Sequence, residues 1–355
     1  MRRHRSDGWA VGRLGGWALP LALLVLTAKP ANRLTAQEPP LNTGALFLVF
    51  PVGAQAVGMG QTAVGAEGRG EAAFWNPAGL ATLARSEFAL HSATLAAGRT
   101  NVLGVYFPSG GVGVLGGAVY LVDYGDLERT DSTGTSIARI APRNFEFLAS
   151  YATAFAGSFV LGLSYKLVQF RVDCSGDCRD FPSGQGTTHA LDVGGQFRLG
   201  AGGPLRVGVV LRNVGFKLQV QNRAQADPLP TRFAVGALYR VPLPGSRDNR
   251  GEGGAGELGA GPGPDERLDL KVAADVDSPW GRAGQSEMRL GVDVGYQRLV
   301  RLRAGYAFVH DGLSGPSIGL GVESGSLGVD LARTFLTGSD LQVENPAFFS
   351  FRVTF

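Results

Sequence analysis

The chain has 355 residues, and 54 of them are glycine, about 15% against an ordinary share of ~7%. Glycine inside a helix costs ~1 kcal/mol relative to alanine, so this load excludes a helical bundle or a Rossmann-type enzyme. The absence of a Gly-X-Y period excludes collagen, and 44% hydrophobic against 18% charged residues excludes a disordered chain. An all-β protein with many short strands remains. Its net charge of +3 includes Arg2, Arg3, Arg5 and Arg13 at the extreme N terminus; without them the balance is near neutral, and no nucleic-acid partner is indicated.

Residues 1–36 read as a cleaved secretory signal. Arg2 to Arg13 form the positive region, Trp17 to Ala28 the apolar core, and Ala36 offers the cleavage site. The apolar run falls short of the ~20 residues that a membrane-spanning helix needs. No later run is long and apolar enough either, so the exported chain is expected beyond the inner membrane.

Within the N-terminal segment 37–85, residues 44–84 do not alternate. They carry Gly53, Gly58, Met59 and Gly60 in a first small-residue stretch (GAQAVGMG), then Phe74, Trp75, Asn76, Pro77, Ala78 and Gly79 in a second (AAFWNPAGLA). Glycine permits tight turns against a wall, Asn76 can bond its neighbouring backbone while Pro77 fixes φ, and Phe74 and Trp75 supply an anchor. An architectural role is favoured for this motif over a ligand role.

From residue 86 onward the chain alternates at period two. Fourteen runs are predicted: 86–97, 100–108, 111–124, 143–155, 158–172, 187–199, 205–215, 231–242, 267–277, 286–297, 300–309, 316–323, 326–335 and 347–355. One register is apolar, as in Phe159, Leu161, Leu163 and Tyr165. The other carries charge, including Arg198, Arg206, Arg212, Arg289, Asp293, Arg301, Arg303 and Asp330, which are expected to pair with one another or with 37–85. Short turns on one side and longer loops on the other are the pattern of an up-and-down transmembrane barrel. The Gly/Pro-rich stretch 243–266 is expected to be a disordered insert on the short-turn side. The chain ends on Phe349, Phe351, Val353 and Phe355 in one register. A terminal Phe355 on such a strand resembles the signal that outer-membrane barrels show to their assembly machinery. Gly162, Gly194, Gly208, Gly236, Gly291, Gly295, Gly305, Gly319, Gly321 and Gly328 share the non-apolar register, with Gly195 the exception, and are expected to face the lumen. There they make room for the N-terminal segment.

The two small-residue stretches resemble the signature of the PorV/PorQ family, related to the FadL-type fourteen-stranded barrels. The sequence departs from it at Gln61, where a glycine is usual, and in the insert. The resemblance implies that 37–85 folds into the lumen as a plug. It further implies an interaction or shuttle component linked to type IX-like secretion, partnered by secretion-system proteins or exported cargo in the outer membrane of a diderm bacterium. The alternative is a FadL-like transporter of hydrophobic molecules, for which Leu46, Phe47, Val49 and Phe50 would line a pocket.

No enzyme chemistry is expected. Gly111 to Gly116 match GxGxxG but lie within a strand with no helix to follow. His91, His189 and His310 are isolated, so no metal or cofactor is indicated. Asp275 and Asp277 suit a solvated rim better than a cation site. Cys174 and Cys178 suit a small loop disulfide in an oxidising compartment, with free thiols as the alternative.

Overall fold

The computed structural model describes residues 43–355 except 157, 180–182, 200–202, 220–225, 244–267, 281–285, 298, 310–313 and 338–344. The expected signal, nearly all of the 243–266 insert, and His310 lie outside the described residues. Among the described residues no helix is long and apolar enough to cross a membrane; the crossing elements are strands.

Alternating side chains dictate one antiparallel sheet: β1 (Glu87–Leu95), β2 (Gly98–Ser109), β3 (Gly113–Asp123), β4 (Leu127–Thr130), β5 (Ser136–Ala156), β6 (Phe159–Gly176), β7 (Gly184–Arg198), β8 (Leu205–Gly215), β9 (Arg232–Val241), β10 (Leu268–Pro279), β11 (Glu287–Tyr296), β12 (Val300–Val309), β13 (Gly315–Ser324), β14 (Leu327–Thr334) and β15 (Ala347–Thr354). Each pairs with its sequence neighbour, except that β3 pairs with β5 and β4 is a short ribbon on the far end of β5. The first strand pairs with the last, from Glu87 opposite Thr354 to Thr94 opposite Ala347. Fourteen strands therefore close an up-and-down transmembrane barrel.

Period two sorts the side chains. Leu103, Phe107, Leu163, Val272, Leu302 and Leu331 are exposed on the outside, whereas Glu146, Lys166, Asp192, Arg212, Arg303 and Asp330 are buried inside. That inversion, apolar outward and polar inward, is what a lipid-facing wall requires. Three boundaries differ from expectation. The loop expected over 125–142 holds β4 and the start of β5, β6 runs on to Gly176, and β7 begins at Gly184. These extensions rise beyond the apolar belt on the long-loop side, where no lipid selects an apolar register, so periodicity does not reveal them. Cys174 and Cys178 are disulfide-bonded at the far end of β6.

Candidate functional site: the luminal segment and its cleft

Residues 43–84 lie against the inner wall. They fold as a 3-10 turn (Leu46–Val49), α1 (Ala54–Gly58), α2 (Ala72–Trp75) and a second 3-10 turn (Pro77–Thr82). These pieces are too short to be stable alone, so wall contacts must hold them. The wall is shaped for close approach. The glycines meet across strands as Gly162–Gly194, Gly208–Gly236 and Gly291–Gly305, forming troughs without side chains. A Cβ on Gly162 would overlap Pro77 and Ala78, on Gly194 Asn76, on Gly208 the Val64 carbonyl, and on Gly305 the Gly60 amide. Gly319 meets Gly58, while Gly295, Gly321 and Gly328 give room to Arg301, Arg303 and Arg352. Gly195 faces outward beside Phe159 and Leu161, as its register requires. Gly60 has a second constraint: its φ of 67° disfavours any larger residue.

Polar wall side chains capture the backbone exposed between these short elements. Ser350 Oγ accepts from Ala54 N–H at 2.8 Å and Ser317 Oγ from Gly60 N–H at 3.0 Å. Asp275 Oδ2 accepts from Ala63 and Val64 N–H at 2.7 and 2.9 Å. Gln196 Nε2 donates to the Val64 and Ala66 carbonyls at 2.9 and 2.8 Å. Asn76 joins the two halves of the segment. Its Oδ1 accepts from Ala78 N–H at 3.1 Å, capping the turn that Pro77 starts, and its Nδ2 donates to the Val64 carbonyl at 2.8 Å. Trp75 Nε1 donates to the Val52 carbonyl at 2.8 Å, and its ring lies beneath the Arg212 and Arg289 guanidinium groups at 5.5 and 5.6 Å.

Charge pairs tie the wall strands to one another and, at Glu67 and Arg69, to the segment. Asp277, fully buried, meets Arg212 and Arg232 at 2.6 Å each and Arg289 at 3.6 Å. Arg303 bridges Asp293 and Asp330 at 3.2 and 2.6 Å. On the short-turn side Glu67 reaches Arg206 at 2.5 Å and Arg240 at 3.2 Å, and Arg69 reaches Glu323 at 2.9 Å. Burial works to raise the Glu67 carboxyl, but Arg206, Arg240, Lys271 and Arg198 outweigh it and hold Glu67 below its ordinary value. At Glu71 the balance is reversed, because Arg303 and Arg69 only partly offset burial. Burial, reinforced by the negative Asp330, pushes its carboxyl up to about 8, and the group presses on Gly53, where φ is 90°.

The first stretch of the segment borders a cleft on the long-loop side. Phe47 and Phe74 pack on the Tyr120 ring, with centroids 5.8 and 6.2 Å away. Leu48, Phe50, Val52, Phe74 and Trp75 form one side; Tyr120, Glu146, Lys166 and Arg212 form the other. The cleft is narrow, its two sides nearly in contact.

The sequence motifs fall within one assembly. Gly53, Gly58, Met59 and Gly60 lie along the strands β11 to β15, while Trp75, Asn76, Pro77, Ala78 and Gly79 lie over β6 to β8. Of the expected pocket strip, Phe47 is buried and Phe50 borders the cleft, whereas Leu46 is exposed. Cys174, Cys178 and Phe355 take no part; Phe355 lies outside on the short-turn rim, edge to face with Phe107. Asp275 and Asp277 are not the solvated rim expected of them: both are buried, because the segment covers their strand. Sequence reasoning missed Gln196, Ser317, Ser350 and Glu67 as anchors. A signal existed for Asp275, whose cross-strand partner is Gly236, a polar inward residue beside an empty position.

No family model and no curated protein matches the sequence. Solved structures do. The toluene transporter TbuX of Ralstonia pickettii matches with a TM-score of 0.55 at 11% identity, over 89% of this chain and 99% of that one. The toluene transporter TodX of P. putida matches with a TM-score of 0.54 at 12% identity, over 85% and 98%. A Pseudomonas aeruginosa FadL homologue gives a TM-score of 0.51 at 11% identity, over 86% and 98%. The chain has the FadL-type barrel fold. At these identities the likeness concerns the fold, and the FadL-type architecture extends over nearly the whole of each matched chain.

Proposed function

We propose that this protein is a FadL-like outer-membrane channel for small hydrophobic molecules, with residues 43–84 as its hatch. The observation that carries the reading is the uneven attachment of the segment. Residues 54–82 are bonded to the wall at many points, while 43–52 reach it through side-chain packing and one backbone bond, Gly44 N–H to the Pro228 carbonyl at 2.9 Å. The weakly held stretch is the one that roofs the cleft. A molecule entering from the long-loop side would displace Leu48 and Phe50, whereas the 54–82 portion would stay in its glycine troughs. The matched structures support this reading, being described as toluene transporters and a FadL homologue.

On this reading residues 1–36 direct export and are removed, and Phe355 serves barrel assembly. The interaction role in type IX-like secretion has only the motif resemblance behind it. Reconstitution decides the matter. Vesicles holding the barrel should take up butylbenzene faster than empty vesicles, and faster still when 43–52 are deleted. Uptake equal to that of empty vesicles in both cases would overturn the channel reading.

A further inference from the structure

Two side chains in the cleft have polar atoms that no group of the protein hydrogen-bonds. Tyr120 and Glu146 are Cα partners across the β3–β5 pair, so their side chains stand next to each other on the inner wall. Both are buried, at 2% and 1% exposure, and both border the cleft. Neither the Tyr120 hydroxyl nor Glu146 Oε1 has a hydrogen-bond partner. Lys166 stands 3.8 Å from Glu146 Oε1, too far for a hydrogen bond, and is engaged elsewhere by Asp192 and Asn213 Oδ1 at 2.8 Å each. Buried polar groups left without partners cost about as much as a lost hydrogen bond, and native proteins keep few of them.

We infer that this pair recognises the hydroxyl group of a neutral amphipathic ligand, such as an alkylphenol, rather than a plain hydrocarbon. The inference rests on the channel reading above and specifies its substrate class. One hydroxyl satisfies both atoms: it accepts from the Tyr120 O–H and donates to Glu146 Oε1. The apolar body of the molecule then lies against Leu48, Phe50 and Phe74, of which Leu48 and Phe50 move to admit it. An anionic head is disfavoured. Lys166 is taken up by Asp192 and Asn213, and the terminal nitrogens of Arg212 are held by Asp277 Oδ2 at 2.6 Å and the Phe74 carbonyl at 3.3 Å. Arg212 Nε remains as one further unpartnered donor, which an acceptor atom on the ligand can use without bringing a full negative charge.

Three compounds of one shape test this: 4-butylphenol, butylbenzene and 4-butylbenzoate, each bound to the purified full-length barrel in nanodiscs against empty nanodiscs. 4-Butylphenol is expected to bind about tenfold or more tightly than butylbenzene, and 4-butylbenzoate more weakly than 4-butylphenol. Tyr120→Phe and Glu146→Gln should each bring the phenol-to-hydrocarbon ratio toward one. Equal binding of 4-butylphenol and butylbenzene by the unmodified protein overturns the inference and leaves the channel reading standing. Tightest binding of 4-butylbenzoate overturns it as well. Failure of all three to bind removes the channel reading, and the inference falls with it. The comparison on the unmodified protein decides even if a variant does not fold.

Discussion

The two parts of the luminal segment are held by different forces. Residues 54–82 engage the wall through directional bonds, from Ala54 on Ser350 to Gly70 N–H on Glu87 Oε1 at 2.8 Å. Residues 43–52 rely on apolar contacts such as Phe47 on Tyr120. Directional bonds to buried partners hold one geometry, because each bond broken leaves a costly group behind. Apolar contacts are non-directional and can be exchanged for those of a ligand of similar character. One chain thus combines a fixed base with a displaceable lid, and the boundary falls near Gly53.

That contrast can be broken from either side. The largest effect is expected for Gly305→Leu, since even a Cβ there overlaps the Gly60 amide. Limited proteolysis should then cut within 54–82 while the barrel keeps its heat-modifiable migration on gels; continued protection would show that the troughs are not needed. Asp277→Ala removes the carboxylate that Arg212, Arg232 and Arg289 share, leaving Glu287 to the latter two, and should cost about 3 kcal/mol in denaturant unfolding, as expected when a buried ion pair loses one partner. Asn76→Ala removes the link to Val64 and should cost about 1–3 kcal/mol, seen as faster cleavage of the segment.

A smaller, graded effect should follow pH. Docked Glu71 keeps its proton up to about 8, whereas the free carboxyl releases it near 4.5. Docking is therefore strongest below 4.5 and weakens as the pH rises toward 8. Hydrogen exchange of the segment should quicken between pH 6 and pH 9, after correction for intrinsic rates, and Glu71→Gln should flatten that dependence. Smallest of all for stability is Phe50→Ala, at a half-buried lid residue that borders the cleft. It should leave the unfolding midpoint nearly unchanged yet raise butylbenzene uptake; a large loss of stability would place the lid among the fixed parts.

The sequence showed much of this through its registers. Period two gave the fourteen spanning strands because lipid on one side and a polar lumen on the other select opposite side chains at every step. The glycines were legible for the same reason: Gly162, Gly194, Gly208 and Gly236 keep step with charged residues, never with Leu161 or Leu163. The hairpin over β4 and β5 was not legible, since it rises beyond lipid. Asp275 read as a rim residue because only the fold lays Ala63 and Val64 across it. The cleft was hidden as well. Nothing local marks Tyr120 and Glu146 as neighbours; they meet because β3 skips the short β4 and pairs with β5.

The division of the segment is tested most directly by residue-resolved hydrogen exchange on the folded barrel, with and without butylbenzene. The amides of 43–52 should exchange at least ~100-fold faster than those of 54–82. The ligand should alter exchange in 43–52 while leaving 54–82 unchanged. Uniform protection from 43 to 82, or equal change throughout on adding the ligand, would contradict a lid hinged on a fixed base.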